Sequence, residues 1–337
     1  MNDALEVNER LVDEIRESPP SIYAVVLTWN QCQDTLDCLA SLSQMTYPNC
    51  HIVLVDNGST DDTAAVVSAQ YPEVTVLVNP RNLGFTGGTN VGMRYALSEG
   101  ADYVFLINND TYVEPNILDE LIVYAAMPGV GIVGPKIYCA DDPQRIWTVG
   151  TGRHPWTLEM VDKGIGQLDT GQWEEVLEQD YIVGCAQLFP RSVLEEVGLL
   201  DEVFFLYYDD LDLSIRVQQA GYRTLMVPQA RMWHKGAASA SGDSDSPRIR
   251  YYRARSSVWF FRKHVRGLRW LAVIPYRMGS ALKTVLRLGR RGRWDGIKAY
   301  FQGLRDGFAL TGELERAPDD TFVMVYGKTA DSEEQAR

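Results

Sequence analysis

Short runs that are apolar from end to end alternate with stretches of helical spacing as far as Ala126. Tyr23–Thr28 (YAVVLT), His51–Asp56 (HIVLVD), Thr75–Asn79 and Tyr103–Asn108 (YVFLIN) carry the apolar runs and read as strands. Thr35–Leu42, with Leu36, Leu39 and Leu42 on one face, reads as a helix, as do Asp61–Gln70, Thr89–Ser98 and Asn116–Ala126. A strand with no polar side needs cover on both faces, which is the situation of a parallel sheet between two layers of helices. Ligands of such sheets collect beyond the carboxyl ends of the strands. Here those ends are Asn30, Asp56-Asn57-Gly58, Asn79 to Asn90 and Asn108-Asn109-Asp110, so the active site is predicted on that rim.

Beyond Gly134 the rhythm breaks. Residues 140–180 are rich in Gly, Asp and Trp and read as loops and a hairpin reaching over the sheet. Tyr181–Pro190 reads as a further strand, Ser192–Val197 as a short helix, and Asp210–Ala220 as a helix with an acidic first turn, where acids also complement the helix dipole. From Arg248 to Arg305 the chain carries 16 Lys and Arg against one acid, Asp295, although its net charge is −13. Val258, Phe261, Val265 and Leu268 approximate one helical face there, and Arg255, Arg262, Arg266 and Arg269 another, with Trp259, Trp270, Trp294 and Phe301 nearby. Two uses suit such a segment: lying on an anionic bilayer, or docking on the acidic remainder of the protein or a second subunit. The organisation read from these shifts is an acidic leader (1–20), a catalytic region (21–245, divided at 135/136), a basic aromatic helical segment (246–312) and an acidic tail (313–337).

Composition removes several classes. With 337 residues, 45% hydrophobic and 23% charged, the chain is neither disordered throughout nor limited to a minimal core. It has no run of ~18 apolar residues, so no simple membrane span is expected, and its first twenty residues lack the apolar stretch of a secretory signal. Five cysteines, none spaced C-x-x-C, argue against a disulfide framework or zinc knuckle and for a reducing cytosol. No RNA-recognition signature accompanies the basic segment, so nucleic acid is not an expected partner.

The candidate chemistry lies in five places. Val55 to Asp62 follows a strand and opens a helix; Asp56 there can accept a hydrogen bond from a base, or the segment is an ordinary turn with Ser59 or Asp61 as cap. Asn79 to Gly92 packs four glycines and three asparagines ahead of a helix, a pattern that lets backbone N–H groups approach a phosphate or simply makes a tight corner; the dinucleotide fingerprint G-x-G-x-x-G is absent. Asp110, at the lip of the sheet, is placed to hold Mg²⁺ or Mn²⁺ on a diphosphate, or to cap the next helix. Asp209, Asp210 and Asp212 stand behind an aromatic run; crowded carboxylates raise one another's pKa, which suits a general base. His234, in Trp233-His234-Lys235-Gly236, taken alone, is more simply structural than a ligand.

In order, TWNQCQDTLDCLASL, VDNGSTDDT, NLGFTGGTNVG, FLINNDTYVEP, VGCAQLFPRSVLEEVGLLDE, FLYYDDLDLSIRVQQAGY and WHKGAAS resemble the family 2 inverting glycosyltransferases, most closely the rhamnosyltransferase-like branch, from about Ile22 to Ser241. The resemblance implies an α/β fold of the GT-A type, a nucleotide-binding, mostly parallel sheet flanked by helices. It implies that Thr28, Asn30, Asp56 and Asn57 hold the base and ribose of a dTDP- or UDP-linked donor. Asn82, Gly87, Gly88 and Asn90 then face the diphosphate or sugar. Asn108 and Asp110 match the metal motif, with Asp110 the ligand for Mg²⁺ or Mn²⁺ and Asn108 standing where the commonest form has Asp. His234 becomes a second metal or diphosphate contact. Asp210 falls on the catalytic base, beside Asp209, where the usual pair is Glu-Asp. A glycan or lipid-linked acceptor, a role in cell-surface polysaccharide synthesis and a peripheral position on the inner face of the membrane are the corresponding expectations, and a homo-oligomer is compatible with them. The rivals are a nucleotidyltransferase, which needs a basic glycine-rich loop after the first strand that TWNQCQD does not supply, and a non-catalytic sugar- or nucleotide-binding module.

Overall fold

The computed structural model describes residues 9–236 and 245–310, and the backbone of 324–326. The start of the acidic leader, the end of the WHKGAAS motif and nearly all of the acidic tail lie outside the described residues. A helix, α1 (Glu9–Glu17), precedes the alternating part: β1 (Ile22–Thr28), α2 (Cys32–Leu42), β2 (Cys50–Asp56), α3 (Thr63–Gln70), β3 (Thr75–Val78), α4 (Gly84–Ser98), β4 (Tyr103–Asn108), β5 (Thr111–Val113) and α5 (Ile117–Ala125). The second half contributes β6 (Val130–Cys139), β7 (Asp142–Thr148), β8 (Thr151–Arg153), β9 (Met160–Asp162), β10 (Leu177–Glu178), β11 (Ala186–Pro190), α6 (Arg191–Val197), α7 (Asp209–Gln219) and β12 (Arg223–His234). Three helices follow, α8 (Pro247–His264), α9 (Trp270–Arg290) and α10 (Trp294–Ala309), and β13 (Met324–Tyr326) adds to the far edge of the sheet.

Strands β3, β2, β1 and β4 pair in parallel, as their unbroken apolar runs require. Beyond β4 the sheet turns mixed: β11 runs antiparallel to β4 and to β6, β6 is parallel to β12, and β5, β7 and β10 join antiparallel. Alternate residues of the parallel strands feed two cores. Ala24, Val26, Leu54, Val76, Phe105 and Ile107 pack with α2 and α5, whereas Val25, Val53, Val55, Leu77, Val104 and Leu106 pack beneath α4. Each aliphatic side chain so buried contributes roughly 1.5–3 kcal/mol, which makes this sheet the rigid base of the rim above it.

Three expectations are corrected. The glycine-rich stretch is not a loop running to Thr89: α4 begins at Gly84. A Cβ on Gly88 would come 2.6 Å from Leu27, and one on Gly92 2.4 Å from Val25, so these glycines let the helix lie down on β1. Only Ala186–Pro190 of the strand expected at Tyr181–Pro190 is extended; residues before it form a loop that reaches α7. The helical face expected from Val258 to Leu268 ends early, because α8 stops at His264 and Val265 turns to an extended conformation. Val258, Phe261 and Val265 are buried, but Leu268 is 76% exposed.

Candidate active site

The rim above the parallel strands is tied together by side-chain amides. Asn57, buried at the end of β2, donates from Nδ2 to the Gly84 carbonyl at 2.8 Å and to Asn82 Oδ1 at 3.2 Å, while its Oδ1 accepts from the Leu83 N–H and from Asn79 Nδ2. Asp56 accepts the Ser59 N–H at 2.7 Å. Asn30, in the left-handed region at φ 56°, accepts the Thr60 N–H at 2.7 Å and so bridges the β1 and β2 turns. Thr28 meets Thr35 and Asn109 through its hydroxyl. Asn90 sits nearly two turns into α4 and spends its amide on Leu200 and Glu202. Gly87 lies in the same turn, with Leu83 beneath it.

Asn108 ends β4, and Asp110 lies in the turn that follows it. The strand β5 that follows pairs with β12 in a register that sets His234 opposite Thr111, and this brings the imidazole Nε2 to 3.2 Å from Asp110 Oδ1. His234 is buried, neither ring nitrogen makes a hydrogen bond among the described residues, and Trp147 packs against the ring at 4.8 Å between centroids. A buried imidazole that makes no hydrogen bond costs free energy unless something fills its lone pair. Among the described residues no cluster of three or more His, Cys, Asp or Glu forms a closed metal cage. A carboxylate beside an imidazole nitrogen instead suits a divalent cation that takes its remaining ligands from phosphate oxygens and water.

The second acidic motif reaches this rim through β11. Asn108 donates its backbone N–H to the Cys185 carbonyl at 3.0 Å, and the adjacent Gly184 donates its own to Asp210 Oδ2, also at 3.0 Å. A Cβ at residue 184 would stand 3.1 Å from that carboxylate, so a glycine is what admits it. Tyr181 Oη donates to the same oxygen at 2.5 Å and the Leu211 N–H to the other at 2.9 Å. Burial raises the pKa of Asp210, opposed by the bonds from Tyr181 and Gly184; burial and then the Asp210 charge push Asp209 well above the ordinary carboxylate range. The buried Cys185 thiol is raised by burial and then by Asp110 and Asp210, so both acids flank it. Tyr181 was missed by sequence reasoning, because a tyrosine in an apolar run reads as core.

Asp212 behaves oppositely to its neighbours. It is fully buried, yet the His264 hydrogen bond at 2.7 Å and the charges of Arg216 and Lys263 outweigh burial and hold it down to about 2. The aromatic run ahead of α7 is strained: Phe205, Tyr207 and Tyr208 all have φ between 63° and 69°, each such residue costing roughly 1–3 kcal/mol. Helix α8 holds that run, with Arg255 donating to the Val203 and Phe204 carbonyls, Ser256 to Phe204 and Leu206, and Tyr252 stacked on Phe205 at 4.8 Å.

Residues 19–254 match the family described as glycosyltransferase like family 2. Over 296 residues the chain is 30% identical to N-acetylglucosaminyl-diphospho-decaprenol L-rhamnosyltransferase of Mycobacterium tuberculosis, covering 75% of this chain and 90% of that one. It is 25% identical over 255 residues to the dTDP-rhamnosyl transferase RfbF of Shigella flexneri, covering 72% and 81%. In fold it is similar to the mannosyltransferase PcManGT of Pyrobaculum calidifontis, solved in complex with GDP-Man and Mn²⁺, with a TM-score of 0.52, 17% identity and coverage of 90% and 82%.

Proposed function

This chain belongs to glycosyltransferase family 2, and we propose that it moves a sugar, with inversion and with Mg²⁺ or Mn²⁺, from a nucleoside diphosphate to a hydroxyl of a glycan or lipid-linked acceptor. The family and the named relatives establish sugar transfer and the hexosyltransferase class, consistent with cell-surface polysaccharide synthesis. The donor is a dTDP- or UDP-linked sugar; the Shigella relative's name favours dTDP-rhamnose. The protein works at the inner face of the membrane, where a lipid-linked acceptor presents its sugar.

The observation that carries the reading is the join at Gly184 and Cys185. Two backbone hydrogen bonds one residue apart bring the Asp210 carboxylate to the strand end that bears Asn108 and Asp110. Thr28, Asn30, Asp56 and Asn57 form the nucleotide end of the rim, and Asn82, Gly87, Gly88 and Asn90 its diphosphate side. Asp210, with one oxygen held by Tyr181 and Gly184, takes the proton from the acceptor hydroxyl as that oxygen attacks the anomeric carbon from the face opposite the diphosphate. The raised pKa brings the base closer to the pH at which it works. Asp209, which burial and its neighbour keep protonated to higher pH, limits the negative charge beside that base. Asp110 and His234 are the residues that would hold the cation, which would supply positive charge against the leaving diphosphate.

A thermal-shift panel of UDP-, dTDP- and GDP-sugars, with and without Mn²⁺, tests the donor and metal: one nucleotide class should stabilise the protein, and only with the ion. Asp210→Asn should keep that shift while transfer falls by roughly 10²-fold or more. Weakened donor binding with normal turnover would give Asp210 another role.

A further inference from the structure

The helices α9 and α10 expose an apolar surface that the catalytic reading does not use. Of the 21 residues of α9 only Val273 and Leu288 are buried. Leu271, Ile274, Met278, Leu282 and Leu286 are 75%, 52%, 68%, 60% and 49% exposed. Their spacing of three or four residues stacks them along one side of the helix, within about a third of its circumference. On α10, Trp294, Phe301 and Phe308 recur every seventh residue, all exposed, on the side away from the buried Gly303 and Gly307, which pack on α8, and Gly296, which packs against Asp245 and Leu288. Monomeric soluble proteins rarely leave apolar patches of this extent open unless something binds them.

The charges beside the stripe identify the occupant. Lys283, Arg287 and Arg290 follow one flank of the α9 stripe, and Lys298 and Arg305 lie among the α10 aromatics. Arg287 bonds to Asp245 and Arg305 to Asp306, but Lys283, Arg290 and Lys298 make no ion pair among the described residues. A second copy seated on the stripe would bring these like charges together about a two-fold axis, which opposes association. An anionic lipid surface meets both requirements, with acyl chains for the leucines and phosphates for the lysines and arginines. Among the described residues no helix is long and apolar enough to cross a membrane, so the fit is along the surface.

We propose that α9 and α10 form a seat for an anionic bilayer, with Leu271, Ile274, Met278, Leu282 and Leu286 entering the headgroup boundary and Lys283, Arg290 and Lys298 engaging lipid phosphates. This narrows the expectation for 248–305 to its last two helices, because α8 spends cations on the protein: Arg255 on loop carbonyls, Lys263 on Asp201 and Asp212. The purpose of the seat rests on the lipid-linked acceptor proposed above; the seat itself rests on the stripe and its charges.

Flotation of the full chain with vesicles of phosphatidylcholine, with and without phosphatidylglycerol, tests it. The chain should float with the anionic vesicles and stay behind with the neutral ones. The variant M278E/L282E should lower the bound fraction by about tenfold or more, and K283E/R290E/K298E should remove the difference between the two vesicle types. A chain that ignores anionic vesicles, or a glutamate variant that binds them as well as the parent, overturns the proposal. So does a parent oligomer that floats with neither vesicle and becomes monomeric in M278E/L282E on size exclusion, since the stripe is then a subunit interface. Far-UV circular dichroism and the nucleotide-sugar thermal shift, both expected unchanged in these variants, show that the fold is kept. Absence of that shift in the parent would sink the donor reading without touching the flotation result.

Discussion

Helices α8 and α9 are both basic and aromatic, yet they end in opposite surroundings. In α8, Arg255 and Ser256 cap loop carbonyls, Lys263 and His264 converge on Asp212, and Phe260 and Phe261 are buried. In α9 five large apolar residues, Leu271, Ile274, Met278, Leu282 and Leu286, face outwards and Lys283 and Arg290 have no acidic partner among the described residues. Basic-aromatic composition therefore does not say where a helix goes; the difference lies in whether acids and carbonyls elsewhere in the fold wait for its cations. Asp212 is the acid that waits, and nothing in its own neighbourhood of sequence distinguishes it from Asp209 and Asp210.

The sharpest way to break this contrast is to remove the acid that α8 grips. Asp212→Ala leaves Lys263, His264 and Arg216 without their shared partner and should destabilise the protein by about 3 kcal/mol, read as the shift of a urea unfolding curve. Because its folded pKa is depressed, the stability Asp212 contributes is complete above the unfolded value of ~3.9 and fades as pH falls towards about 2. Asp212→Asn should flatten the loss of stability across that window, and an unchanged acid limb would show that the cluster is not stabilising.

Ser256→Ala comes next. It removes one hydroxyl from the carbonyls of Phe204 and Leu206 and should cost roughly 1–2 kcal/mol, with kcat falling more than donor affinity because the strained run it holds leads into Asp209 and Asp210. Equal losses in kcat and donor binding would mean general loosening. Tyr181→Phe should act on the acid that α8 leaves alone. Its hydrogen bond lowers the Asp210 pKa, so its loss should move the acid limb of the pH–rate profile upwards, while α8 and overall stability change little. Smallest of all, Leu282→Ser on the open stripe should alter unfolding free energy in solution by less than ~0.5 kcal/mol; a large loss there would mean that α9 is packed against something.

Most of the rim was legible because its logic is local. Apolar runs such as YVFLIN have no other stable use than a covered strand, and whatever follows them must stand at the sheet's edge, which is how Asp56, Asn108 and Asp110 could be placed. Asp209 and Asp210 stood out through crowding, but burial comes first in raising both, with the Asp210 charge adding to it at Asp209. The unread parts depend on residues distant in the chain. Tyr181 gains its meaning only when Gly184 delivers the loop to α7. The glycines of α4 look like a flexible corner until β1 is known to lie beneath them. The three left-handed aromatics ahead of Asp209 offer no local signal, since such residues normally avoid that conformation and here accept it under contacts with α8.

The hold that α8 keeps on that aromatic run bears on how the enzyme can be shortened. The match to the family stops at residue 254, inside the helix and one position before Arg255 and Ser256. A protein trimmed at that boundary retains every recognisable motif while discarding the two side chains that brace the approach to Asp209 and Asp210, so, on the proposed role of Asp210, it should bind nucleotide sugar and turn it over poorly.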